Sequence, residues 1–214
     1  KIGVAFKKSR MAKKNRMLDF WVTSVYQQFT KINNPNPYDR EYLKDLISKI
    51  KPYTLEEEDG LLKVACALYY AGVTVISHKH VTTTQVHGAT FIINKKYSTV
   101  WFALMHELFH CLFDYEEIKN QTFHLSAKDE PELFLNRETE ADNFAKNYLF
   151  SDEKLKYISP LISNSLAVEK FAKSNGVHPS IVYDFYCWEK QEKEKKDLWK
   201  FYRKYIPNSD LALN

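Results

Sequence analysis

The chain has 214 residues, 44% of them hydrophobic, with 14 Tyr, 14 Phe and only 5 Gly. That supply of apolar and aromatic side chains is enough for a packed core and excludes a disordered or collagen-like chain. A net charge of +4 with 27% charged residues permits an acidic or nucleic-acid partner without arguing for one. Cys66, Cys111 and Cys187 lie far apart and form no CxxC pair, so a reduced, cytoplasmic compartment is expected. Residues 1–16 are basic but lack the apolar stretch of a signal peptide. The longest apolar run, 64–76, is interrupted by Gly72 and is too short to span a bilayer, so no membrane association is expected. The chain opens on Lys1, and a start further upstream is expected.

In chain order, residues 9–29 read as a first helix, closed by the breaker Asn33-Asn34-Pro35-Asn36-Pro37. Residues 39–51 read as a second, with Tyr42, Leu43, Leu46 and Ile50 near one face. Thr54-Leu55-Glu56-Glu57 has the spacing of a capping box and should open a third helix running to about Tyr70, where Ala71-Gly72 stops it. The β-branched run 73–77 is expected to be a strand, and 86–94 a second. A helix starts at Tyr97-Ser98-Thr99, a polar connection covers 116–131, and 137–150 is the next strong helix. Everything after Ser151 reads helical, ending in a charged helix over 180–205. Helices, a small sheet, then helices make the expected class α+β. The expected organisation is an N-terminal helical region 1–53, a core 54–150 and a C-terminal helical part 151–214.

The chemistry concentrates in His106-Glu107-Leu108-Phe109-His110. Residues i and i+4 share a helix face, so two imidazoles can meet one ion. Zinc suits imidazole nitrogen and a tetrahedral site. Glu107 is rotated from His106 by about 100° and can reach a water at the metal without being a ligand, the arrangement needed for hydrolysis of a carbonyl. The bland alternative is an ordinary amphipathic helix with two surface histidines. Against it, Trp101, Phe102, Leu104, Met105, Leu108, Phe109, Leu112 and Phe113 surround the motif. A helix apolar nearly all round is buried, and buried His and Glu need a metal or a partner. A third ligand is expected from Glu138, with Asp142 one turn on as acceptor for the outer nitrogen of a ligand histidine, most simply His106. Glu140 is the rival ligand, and a solvated acidic first turn is the alternative for the whole segment.

His106-Glu-Leu-Phe-His110 followed by Glu138-x-x-Ala141-Asp142-x-Phe144-Ala145 resembles the ImmA/IrrE family of zinc metallopeptidases. The segments Gly72-Val73-Thr74-Val75-Ile76, His87-Gly88-Ala89-Thr90-Phe91 and Val4-Ala5-Phe6-Lys7-Lys8-Ser9 extend the likeness, which covers roughly residues 55–180. The resemblance implies a zincin-like fold, with a small, mostly antiparallel sheet packed on a zinc-binding helix pair. It implies Zn2+ held by His106, His110 and Glu138, Glu107 as general base, Asp142 behind a ligand, and a cytoplasmic role in transcription control. It departs from the family's usual pattern at Phe109, where Gly is common. It departs again at Asn94-Lys95-Lys96, which runs straight into Tyr97 where a further strand and loop are usual. A break in the chain between Lys96 and Tyr97 is therefore expected.

The expected activity is cleavage of a specific cytoplasmic protein, a helix-turn-helix regulator encoded nearby or fused upstream. That substrate would lie extended along an edge strand at His87, Gly88, Ala89, Thr90 and Phe91. The competing expectation is a non-cleaving regulator or antitoxin-type binding protein that uses the same fold as sensor or scaffold. Ala172, Gly176, Val177 and Val182 have helix-turn-helix spacing, but the second helix would present Tyr183, Asp184, Phe185, Tyr186 and Trp188. Direct DNA binding is therefore not expected, and an αα-turn is favoured. Tyr183, Tyr186 and Trp188 are candidates for substrate docking if exposed. His124 is a candidate oxyanion stabiliser, and Cys111 is read as core.

Overall fold

The structure is a computed structural model that describes residues 5–7, 16–76, 96–120, 124–126 and 132–213. Its elements are β1 (Ala5–Lys7), α1 (Arg16–Ile32), α2 (Arg40–Lys49), a 3-10 turn (Lys51–Leu55), α3 (Gly60–Tyr70), α4 (Tyr97–Phe113), α5 (Tyr115–Asn120) and β2 (His124–Ser126). There follow α6 (Glu132–Phe150), α7 (Asp152–Ile158), a 3-10 turn (Ser159–Leu161), α8 (Ser165–Ser174), α9 (Pro179–Glu194), α10 (Trp199–Tyr202), a 3-10 turn (Arg203–Tyr205) and α11 (Asp210–Leu213). Helix accounts for 76% of the described residues.

This corrects the expected α+β class. Among the described residues the protein is helical, and no antiparallel sheet packs on the helices. β1 and β2 pair in parallel, Ala5 to His124 through Lys7 to Ser126, a local tie between two three-residue segments. Residues 73–76 are not a strand, and the reason is local. Gly72 N donates to Tyr69 O (3.1 Å) and Val73 N to Leu68 O (2.9 Å). This pair of bonds closes α3 with a left-handed Gly72, φ +78°. The Val73 amide is thus committed to the helix end, and Thr74 Oγ1 accepts from Asn34 Nδ2 (3.2 Å). β-branched residues favour a strand only where a pleated neighbour exists. The second expected strand, 86–94, and the substrate strand His87–Phe91 lie outside the described residues.

The capping box at Thr54 is also replaced. Thr54 Oγ1 donates to Lys51 O (2.8 Å) and accepts from His178 N (3.1 Å), while Glu57 pairs with His178 Nε2 (2.8 Å). With both ends of the box engaged elsewhere, residues 51–55 form a 3-10 turn and α3 begins only at Gly60. The polar connection contains α5, and the last charged helix stops at Glu194, where Lys195 turns left-handed, φ 56°. Lys96 O accepts from Thr99 N (3.0 Å), so Lys96 leads into the first turn of α4.

Two compact units emerge. The first draws on Lys1–Ser48, Ala65–Ile93 and Ala103–Ala145, and it contains the metal-site candidates. Leu43, Leu46 and Ile47 of α2, Leu68 of α3, Leu104, Met105 and Leu108 of α4, and Ala141 and Ala145 of α6 are buried there. The last turn of α4 has carbonyls without intrahelical partners. Tyr38 Oη donates to Cys111 O (2.6 Å) and Arg40 Nε to Leu112 O (3.0 Å), and the Tyr38 ring stacks on Tyr115 at 3.9 Å. These contacts hold the C-terminal end of the helix that carries the histidines.

The second unit draws on Lys49–Val64, Asn94–Phe102 and Lys146–Asn214. The carboxylate of Asp184 on α9 is buried there. Lys96 Nζ and Trp199 Nε1 donate to Asp184 Oδ1, and Ser98 Oγ donates to Oδ2 (2.8 Å). Between α8 and α9 the chain makes an αα-turn: Gly176 is left-handed, φ +69°, and Val177 N returns to Ala172 O (3.1 Å). His178 then caps α9 by accepting from Ser180 N (3.2 Å), with Pro179 in the first turn. Ile181, Val182, Tyr183, Asp184 and Phe185 of α9 are buried.

A candidate metal centre

His106 and His110 are one turn apart on α4, whose apolar neighbours bury both rings completely or nearly so. α6 brings Glu138 against them. His106 Nε2 lies 3.3 Å from Glu138 Oε2, His110 Nε2 lies 3.3 Å from Glu138 Oε1, and the two Nε2 atoms are 3.3 Å apart. A tetrahedral zinc site with bonds of about 2.0–2.1 Å has ligand-to-ligand edges of about 3.3–3.4 Å by simple geometry. The three side chains therefore stand at the spacing that a single zinc ion would need. Among the described residues, theirs is the group able to hold a metal ion. Glu140, the rival ligand, is exposed and pairs with Arg137 instead. The structure thus brings Glu138, and not Glu140, to the histidines.

Each ring is oriented from behind. His106 donates from Nδ1 to Asp142 Oδ1 (2.8 Å), as the spacing of Glu138 and Asp142 anticipated. His110 donates from Nδ1 to Asp114 Oδ2 (2.7 Å), a partner that sequence reasoning missed. The signal was available, because Asp114 follows His110 by one turn, but the same spacing arises often by chance in a charged chain. Asp114 is itself buried and is gripped by Arg137, which donates from Nε to Oδ1 (2.9 Å) and from a terminal nitrogen to the same oxygen. These bonds and the positive charges of His110 and Arg137 outweigh the cost of burial and hold the Asp114 carboxyl below its usual range. For His110, burial works to depress the ring's pKa. The hydrogen bonds to Asp114 and Glu138 and the charge of Glu107 overcome it and hold the metal-free ring up at about 9.

Glu107 is 4% exposed, and neither carboxylate oxygen has a hydrogen-bond partner among the described residues. A buried carboxylate left without donors is costly. Phe109 lies in an aromatic cluster. Its ring lies 4.8 Å from Phe113 and 5.6 Å from Phe144, and the Arg137 guanidinium sits over its face at 5.0 Å. Cys111, which follows His110 in the chain, is half-buried, and desolvation pushes its thiol up to about 12, which does not suit a reactive thiol.

The remaining expectations divide. Tyr183 is 2% exposed and stacks between Tyr202 (5.4 Å) and Tyr205 (4.5 Å), so it packs helices together. Trp188 is 58% exposed. His124 lies in β2, and its side chain is outside the described residues. Among those residues no helix is long and apolar enough to cross a membrane. Comparison with protein-family models, with curated proteins and with solved structures finds no match to this chain.

Proposed function

We propose that this chain is a zinc-dependent metallopeptidase with His106, His110 and Glu138 as ligands and Glu107 as general base. The observation that carries the reading is the coincidence of three potential ligand side chains at 3.3 Å spacing with a buried carboxylate, one residue along the same helix, that has no hydrogen-bond partner among the described residues. A structural salt-bridge cluster would account for the first but would leave Glu107 unexplained. Zinc in such a site supplies Lewis acidity to a peptide carbonyl and to water. Glu107 then takes the proton of the attacking water and returns it to the leaving amine nitrogen. Asp142 and Asp114 keep Nδ1 protonated on each ring, so that Nε2 presents its lone pair. The resemblance to the ImmA/IrrE family adds the substrate class: a cytoplasmic protein, with a helix-turn-helix regulator encoded nearby or fused upstream as the first to try.

The test is a comparison of wild type with Glu107→Gln. Both should bind zinc with similar affinity and melt alike, and the variant should lose about 10²–10⁴-fold in hydrolysis of the regulator. His110→Ala should lose the metal as well. Hydrolysis by Glu107→Gln at the wild-type rate sinks the assignment of the base. Zinc binding without cleavage of any neighbouring regulator favours the non-cleaving regulator instead.

A further inference from the structure

The second unit ends in a stretch whose charges and rings serve unequally. The lysines at the end of α9 are matched to carboxylates: Lys190 to Glu194, Lys193 to Glu189 (2.9 Å) and Lys196 to Glu194 (2.8 Å). The next stretch, Leu198-Trp199-Lys200-Phe201-Tyr202-Arg203-Lys204-Tyr205, holds three cations, four aromatic rings and no acidic residue. Lys200, Arg203 and Lys204 are exposed, and none of them pairs with a carboxylate among the described residues.

α10 is fixed through one face and open on the other. Trp199 Nε1 donates to Asp184 Oδ1 (2.9 Å), and Lys96 Nζ sits over the Trp199 ring at 4.1 Å. Tyr202, three residues on and therefore on the same side, stacks on Tyr183 at 5.4 Å and meets Tyr186 edge-on at 5.8 Å. Phe201 is rotated from Trp199 by about 200°, so it points away from α9, and it is 59% exposed. Trp188, on α9, meets Trp199 edge-on at 5.0 Å and is 58% exposed. One exposed aromatic ring is ordinary on a protein surface. Two of them bordering a pinned four-residue helix, beside three cations that no carboxylate neutralises, are a different matter.

We propose that the exposed face of α10 and the turn after it binds single-stranded nucleic acid, with Phe201 and Trp188 stacking on unpaired bases and Lys200, Arg203 and Lys204 meeting the phosphates. Charge complementarity selects an anion with a repeating negative charge, and the flat rings select an anion that also carries flat apolar faces. Single-stranded nucleic acid has both, and stacking on aromatic side chains needs no particular base. A lipid surface fits less well, because the exposed apolar groups are rings on a helix of four residues, too short to lay a continuous apolar face into a bilayer. Binding of this kind needs unpaired bases and no groove, so it is separate from the helix-turn-helix spacing at Ala172–Val182. It is also independent of the metal-centre reading.

The experiment follows the fluorescence anisotropy of a labelled thymidine oligomer of about 15 nucleotides, titrated with the full chain in the presence of a chelator. Wild type should bind it. Raising the salt from about 50 to about 200 mM should weaken binding about 20-fold, as three neutralised phosphates on a single strand require. Phe201→Ala and Trp188→Ala should each weaken binding about 5-fold or more. A variant with Lys200→Gln, Arg203→Gln and Lys204→Gln together should lose most of the affinity and its salt dependence. All these side chains are exposed, so melting should stay at the wild-type temperature. Should one ring variant melt early, the other carries the comparison. Wild-type binding in both ring variants would mean attraction by charge alone and overturns the proposal. So does equal affinity for a duplex of the same length, or failure of wild type to bind the oligomer at the lower salt. Capture by vesicles of phosphatidylserine and phosphatidylcholine without binding of the oligomer overturns it in favour of a membrane surface.

Discussion

His110 couples the site to pH in a direction that can be worked out. Its metal-free pKa is held at about 9, above its ordinary value of about 6.5. The bound proton therefore stabilises the folded, metal-free chain. That contribution is fully present below about pH 6.5 and is lost as pH rises through about 9, and it amounts to on the order of 3 kcal/mol. Denaturant melts of the metal-free protein at pH 6.5 and 9.5 should show this loss in wild type. A His110→Asn variant, which cannot take the proton, should show a flatter profile. Equal profiles for the two proteins would refute the raised pKa. Zinc requires the neutral ring, so zinc affinity should climb as pH rises toward 9, opposite to the trend in metal-free stability.

At the scale of elements, two helix ends make a controlled comparison. α3 and α8 both close on a left-handed glycine, Gly72 with φ +78° and Gly176 with φ +69°, and both return an amide from the next residue to a carbonyl five residues back. Their surroundings differ. A Cβ on Gly72 would stand 2.6 Å from the Pro37 carbonyl and from Tyr38 Cα, whereas one on Gly176 would meet nothing closer than the Pro52 side chain at 3.9 Å. Gly176→Ala should therefore cost only the left-handed penalty of about 1–2 kcal/mol. Gly72→Ala should cost more, because backbone must move as well, and that backbone leads into Tyr38 and Arg40 at the end of the histidine helix. Urea midpoints of the two variants decide it. Equal losses would mean that the 37–38 segment yields freely.

For the whole molecule, the ligands and their supporting groups all belong to the unit that contains Ala103–Ala145. Zinc binding to the folded chain alone should stabilise it by about 2.7 kcal/mol at a concentration a hundredfold above Kd. A chelator should reverse the gain. Hydrogen exchange should slow on adding zinc in the stretches 103–113 and 136–145. The amides of α8 and α9, which belong to the other unit, should change less. Uniform protection of both units would instead indicate that zinc acts on folding of the entire chain and not on one site.

What the sequence determined by itself was the chemistry that repeats over one helical turn. His106 with His110, Glu107 between them, Glu138 with Asp142, and the helix stops at Gly72 and Gly176 all follow from a period of about 3.6 residues or from one residue's backbone freedom, and these read locally. Tertiary structure alone decided the rest. It turned Glu138 toward the histidines and Glu140 toward Arg137, two residues that the pattern treated as rivals. It drew Thr54 and Glu57 to His178, 124 and 121 positions away, and so dissolved a capping box whose spacing was correct. It also brought Arg137 to Asp114, 23 positions apart, where no periodicity applies. The expected α+β class failed for the same reason. A β-branched run such as 73–76 has a side-chain preference but no partner of its own, and strand pairing is a contact between segments, so residues beyond the run decided its conformation.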